Sequence, residues 1–212
     1  MTEESMERPT SILDVMDERF RREGPRECIS HVLYVAKVED SAAVQAHHKA
    51  VAAEMESVTG IFMSQEGVVV HYIEAPPTTM ITFLRRITEA GSGISTDAVR
   101  VILSSEDCPS RYFTDWCTVG PLQVSDEGAI PAPTTEDVVE LGFEMLQLII
   151  KIGAGEKPEL CCPSKSRILA YADCPLFFSL VEYMKTFDSP IMVNLESEDV
   201  WPHQPIIQYE GM

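Results

Sequence analysis

An α+β fold, a mixed sheet with helices packed on it, is predicted by three features of the 212-residue sequence. β-rich runs alternate with helix-period segments in the order β-α-β-β-α-β-β. The first β run is apolar on both parities, so the sheet it enters is covered on both faces. A long, apolar helical segment follows the last of these runs and supplies material for the second cover. A strand, a helix and a return into the same sheet, made twice, is the ferredoxin-like layout, with two helices on one face.

The first strand is HVLYVAKV (31–38), with Val32, Tyr34 and Ala36 on one face and Leu33 and Val35 on the other. SAAVQAHHKAVAAEMES is helical, since Val44, His48, Val51 and Met55 recur at i, i+4, i+7 and i+11, with Ser41 as the expected N-cap. VTGIFMS and VVVHYIE flank Gln65-Glu66-Gly67, a hairpin pattern in which Gly67 takes positive φ. Pro76 and Pro77 suit the first turn of a second helix, TTMITFLRRITEA. That helix turns Met80, Phe83, Leu84 and Ile87 inward and Arg85, Arg86 and Glu89 outward, and Gly91-Ser92-Gly93 ends it. AVRVILSS (98–105) is the fourth strand, EDCPS a loop, and RYFTDWCTV (111–119) a short final strand.

These elements define a domain over residues 28–124, with a charged arm (1–27) before it and an extension (125–212) expected to pack on the sheet's open face. In the arm, Ile12, Leu13 and Met16 at helical spacing give either a helix on its own domain or a segment that orders on a partner. In the extension, Thr134 and Asp137 resemble a capping box, with Asp in place of Glu or Gln. The helix DVVELGFEMLQLIIKI then runs to Gly153 as its C-cap, and its nearly encircling apolar residues predict burial on most sides. RILAYA (167–172) reads as a strand. PLFFSLVEYMKTF (175–187) reads as a helix with Phe178, Val181 and Met184 along one side, and DVWPHQPIIQYEGM as irregular.

The formal net charge of −18 repels nucleic acid and anionic membrane surfaces, and neither is an expected partner. No run reaches the ~18 apolar residues of a membrane helix. The N-terminus lacks the apolar core of a signal peptide, so an intracellular, soluble protein is expected. The six cysteines are scattered and expected to be reduced there.

His71 is the polar residue that stands out, on one strand face with Val69 and Ile73. It is either a core histidine bonded to Tyr34 or to a carbonyl, or part of a site. His47 and His48 are adjacent on a helix and point apart, a poor metal pair. Cys161, Cys162 and Cys174 lack the C-x-x-C spacing of zinc sites, so no metal is expected. No G-x-S-x-G or P-loop occurs, and no enzyme is indicated.

HVLYVAKV, Val58-Thr59-Gly60, Glu74 closing the third strand, and Arg111-Tyr112-Phe113 leading to Trp116 occur in the order of a BLUF domain, the flavin-binding blue-light sensor module. The sequence resembles that family over residues 31–120, which implies a BLUF-type mixed sheet and a flavin beside a tyrosine and a glutamine. Tyr34 matches the tyrosine, but His71 stands at the glutamine position. Ala52 and Ala53 replace the paired asparagines, Ala36 a serine and Thr118 a methionine, with Trp116 retained. GSGISTD replaces the Asp-x-Arg-His segment. Each unpartnered polar edge of a buried ring costs on the order of 1–3 kcal/mol. Three or four such losses would remove most of a micromolar affinity of about 8 kcal/mol. These positions are therefore expected to be vestigial, with no cofactor bound; the alternative is a FAD-binding blue-light or redox sensor.

The chain is also similar to a testis-expressed family associated with motile cilia. That resemblance implies a non-enzymatic structural or adaptor protein of the axoneme, at the radial spokes or their bases, in contact with other axonemal proteins. Tubulin is itself acidic, so direct binding to the microtubule lattice is disfavoured.

Overall fold

The strand β1 (Ile29–Lys37) runs through the middle of a six-stranded sheet and is buried along all but its last residue. The other strands are β2 (Thr59–Gln65), β3 (Val68–Ala75), β4 (Val99–Cys108), β5 (Trp116–Val119) and β6 (Phe178–Ser179), in the spatial order β5-β2-β3-β1-β4-β6. This computed structural model describes residues 28–89, 91–122, 133–158 and 162–188, with Ser11, Ile12, Val15, Glu18, Gly128 and Pro131 as isolated positions. The remainder of the arm and the tail segment DVWPHQPIIQYEGM lie outside the described residues.

β3 is inserted antiparallel between β1 and β2, and β1 between β3 and β4, giving two interleaved split β-α-β units. β5 pairs parallel with β2, from Gly60 opposite Trp116 to Met63 opposite Val119. The fold is the α+β, ferredoxin-like mixed sheet that the order of elements predicts, extended by one strand. β6 was read as part of a helix, but Phe178 and Ser179 pair with Val101 and Arg100 before the helix begins.

Helices α1 (Ser41–Ala53) and α2 (Pro77–Ile87) cover the first face. The N-cap of α1 is Asp40 rather than Ser41: its carboxylate accepts from the Ala42 and Ala43 N–H groups, both at 3.0 Å. Val44, His48 and Val51 point inward, as the spacing predicts. α2 starts at Pro77 and buries Met80, Phe83, Leu84 and Ile87. The hairpin turns at Glu66-Gly67, with Gly67 at φ 77°.

Helices α3 (Thr135–Gly153) and α4 (Lys165–Asp173) cover the second face through Met145, Leu148, Ile149, Ile152, Ile168 and Tyr171. Asp137 accepts from the Thr134 N–H and hydroxyl at 2.7 Å, so a shorter acid serves at the start of α3. RILAYA lies inside α4 and is not a strand. The Ser164 hydroxyl caps that helix at Arg167 N–H, and the Arg167 Nε–H donates to the Tyr171 hydroxyl one turn on.

α5 (Leu180–Phe187) crosses back to the first face, so the extension serves both sides of the sheet. Its inward residues are Leu180 and Tyr183, with Met184 beside them. Phe178 and Val181, placed with Met184 by the sequence reading, are exposed. β4 continues through Glu106 and Asp107 to Cys108, where a loop was read, whereas Arg111–Asp115 is loop and only Trp116–Val119 is strand. α3 is not buried all round either: Val139, Phe143 and Ile150 face solvent.

Candidate functional site: the polar chain between β1, β3 and α1

Tyr34 and His71 are register partners on β1 and β3, fully buried, and directed to the first face beneath α1. The indole Nε1–H of Trp116 donates to His71 Nε2 at 2.9 Å. Tryptophan can only donate, so His71 Nε2 carries no proton and its Nδ1–H donates to the Tyr34 hydroxyl at 3.0 Å. The Tyr34 hydroxyl then donates to His48 Nε2 at 2.7 Å. At the far end His48 Nδ1–H donates to the Val44 carbonyl, one turn back on α1, at 2.8 Å. A donor-only group at one end and a carbonyl at the other fix every proton in the chain.

The electrostatics match this assignment. Burial drives the His71 imidazole well below its usual range, with His48 beside it adding to the shift. Burial brings His48 down to about 4, and it pushes the Tyr34 phenol well up. All three groups are neutral at physiological pH. Every imidazole nitrogen of His48 and His71 is engaged, so neither ring offers a lone pair to a metal. Among the described residues no group of three or more His, Cys, Asp or Glu is placed to hold a metal ion. Phe62 packs against both histidine rings, with centroids 5.0 and 5.2 Å away, and Phe83 closes on His71 from α2. The arrangement is a neutral brace between three strands and a helix, with no base or nucleophile presented to solvent.

The other singled-out positions fall around this chain. Ala36 is fully buried two residues along β1 from Tyr34, Ala52 is buried in the same core and Ala53 is exposed at the end of α1. Thr118 is half-buried on β5, opposite Phe62. His47 bonds the Arg86 carbonyl at 3.2 Å and ties α1 to α2. Cys162 and Cys174 are buried, and Cys161 lies outside the described residues. The helix period places His48 inward, and neither that nor its weighing as a metal ligand with His47 gives it a partner on the sheet. Its place on the same face as Val44 and Val51 was the available signal that it could meet Tyr34.

A second constellation closes the end of the sheet. The buried Glu74 carboxylate accepts from the Thr59 hydroxyl at 2.7 Å, from Tyr112 N–H at 2.6 Å and from Phe113 N–H at 3.2 Å. One Arg111 Nη–H group reaches the carbonyls of Ser57 and Glu74 and the Thr59 hydroxyl, each at 3.0 Å. These bonds latch the loop before β5 onto β2 and β3. Gly60, at φ 137°, has no room for a side chain, since a Cβ would lie 2.1 Å from the Tyr72 carbonyl oxygen. The Thr59-Gly60, Glu74 and Arg111-Tyr112-Phe113 signature is therefore a structural latch in this molecule.

Two interleaved β-α-β units, a fifth strand parallel to β2, and a β1 tyrosine facing a polar β3 residue beneath two helices define a BLUF-like fold. A family model, testis-expressed protein 47, matches residues 28–161, and the chain belongs to that family. It is not a family of known enzymes. Among solved structures, the chain is similar to the BLUF protein BlrB in its dark state, at 16% identity over 69% of this chain and 98% of that one, with a TM-score of 0.39. The BLUF domain of BlrP1 matches at 12% identity over 42% of this chain and 62% of that one, with a TM-score of 0.35. A bacterial light-regulated adenylyl cyclase matches at 12% identity over 68% of this chain, with a TM-score of 0.37, and this chain spans only 39% of its length.

Proposed function

We propose that this protein is a non-enzymatic structural or adaptor component of the ciliary and flagellar axoneme, built on a BLUF-like fold that no longer takes a flavin. The observation that carries the reading is the closed chain from Trp116 through His71, Tyr34 and His48 to the Val44 carbonyl. The residues present do not fit a flavin ring. Tyr34 and His71 satisfy each other and their neighbours, and Ala52 and Ala53 offer no side-chain donor or acceptor to a ring edge. A ring entering this interior would have to break the chain and leave buried imidazole nitrogens unpaired, at on the order of 1–3 kcal/mol each.

A sensor fold filled by its own side chains is kept for its rigidity and its surfaces. Membership of a testis-expressed family supports a place in motile cilia and flagella, and the radial spokes or their bases are the position proposed within them. The charge of −18 favours contact through other axonemal proteins over direct binding to acidic tubulin. The test is to tag the endogenous protein in motile-ciliated cells and extract the membranes and matrix with detergent. Retention on the axoneme at a regular longitudinal repeat is the expected result, and complete release into the soluble fraction would overturn it. Purified protein is also expected to stay in the supernatant when bare microtubules are pelleted at physiological salt.

A further inference from the structure

α3 carries apolar residues on its outer side as well as on the side that meets the sheet. One side, Met145, Leu148, Ile149 and Ile152, packs on the sheet. On the other side Val139, Phe143 and Ile150 are 64%, 60% and 40% exposed, and half-buried Leu146 lies between them. The intervals of four, three and four residues are those of a coiled-coil seam. Along one flank run the exposed Glu136, Glu140 and Glu144, of which Glu144 also pairs with Arg167 at 2.9 Å.

We propose that this seam docks a basic amphipathic helix of another protein. The partner's apolar stripe packs on Val139, Phe143, Leu146 and Ile150, and its Lys or Arg side chains face Glu136 and Glu140. Charge complementarity favours this occupant over a second copy and over the chain's own acidic tail. A second copy would bring two chains of net charge −18 together. Its seam, 12 residues with a rise of about 16 Å, is also short for the ~800 Å² per partner of a stable dimer. The chain's own segment 189–212 carries Glu196, Glu198, Asp199 and Glu210 and no Lys or Arg, so it is repelled by the same flank. The proposal does not rest on the axonemal assignment.

The test uses the full chain and two synthetic three-heptad peptides with Ile and Leu at the apolar positions, one flanked by Lys and Arg and the other by Glu. Fluorescence anisotropy is expected to show the basic peptide binding at least tenfold more tightly. Phe143→Ser leaves the net charge unchanged and is expected to weaken that binding at least tenfold, with the thermal midpoint held within about 2 °C. Glu136→Lys with Glu140→Lys is expected to narrow or reverse the preference between the peptides. Absence of binding by the basic peptide overturns the proposal, as does equal binding of both peptides. Binding unchanged by Phe143→Ser assigns the attraction to bulk charge and overturns it too. Self-association of the free protein that Phe143→Ser abolishes gives the seam to a second copy, with the same consequence.

Discussion

On the first face of the sheet His71, Tyr34 and His48 are buried as one closed neutral chain, whereas the polar groups around Glu74 on the second face are partnered unevenly. Beneath α1, His71, Tyr34 and His48 each find a partner for every donor and acceptor they need. On the second face the Glu74 carboxylate gathers three donors, while nearby the Tyr72 hydroxyl and His31 Nε2 are buried without a hydrogen-bond partner. His31 Nε2 stands 3.9 Å from Glu74 Oε1, beyond hydrogen-bond reach. The difference teaches where this fold holds itself in register. Complete satisfaction marks the groups that fix β1, β3, β5 and α1 to one another, and incomplete satisfaction marks groups present mainly as packing volume.

Substitutions at the two sites separate these roles. Glu74→Ala strands the Thr59 hydroxyl and two backbone N–H groups, and is expected to destabilise by about 3–5 kcal/mol in urea unfolding. A loss under about 1 kcal/mol would show that the latch does not hold the loop before β5. Tyr34→Phe leaves His71 Nδ1–H and His48 Nε2 unpaired in the core and is expected to cost about 2–4 kcal/mol. Tyr72→Phe removes a hydroxyl that has no partner, so the stability should stay within about 0.5 kcal/mol of the parent or rise slightly. Equal costs for the two tyrosines would erase the contrast between the two sites.

Acid acts on the first face between the last two of these in size. Because the folded pKa of His48 is about 4 and that of His71 lies well below the ordinary value, the unfolded chain takes up protons first as pH falls through about 6.5. Stability is therefore full above that pH and declines below it. From pH 7.5 to 5.5 the two rings together account for about 2–3 kcal/mol. Urea midpoints measured at both pH values check this, and a His48→Gln variant should lose about half of the share that these two rings supply.

Much of this contrast was legible in the sequence and part was not. The order of strands and helices followed from hydrophobic period, because a sheet covered on both faces leaves apolar residues on both parities of β1. The split use of the extension did not: RILAYA has no period that separates strand from helix over six residues, and its helix depends on the Ser164 cap and the Arg167–Tyr171 pair. β6 was hidden because two residues of pairing leave no periodic trace. The exposure of Phe143 was hidden as well, since apolar residues around a helix report affinity for a cover without saying that the cover belongs to the same chain. At the site, Tyr34 and His71 were recognisable from their places on adjacent strands. Their completion by His48 required a helix and a strand to meet in space.

The central claim is that side chains have closed the interior where a flavin would lie, and equilibrium dialysis of the purified full chain against FAD and FMN tests it most directly. The account predicts no saturable binding of either flavin at concentrations up to about 100 µM, a hundredfold above the micromolar affinity that ~8 kcal/mol represents. Stoichiometric binding, with a visible band that shifts reversibly in blue light and is lost in His71→Leu, would contradict it.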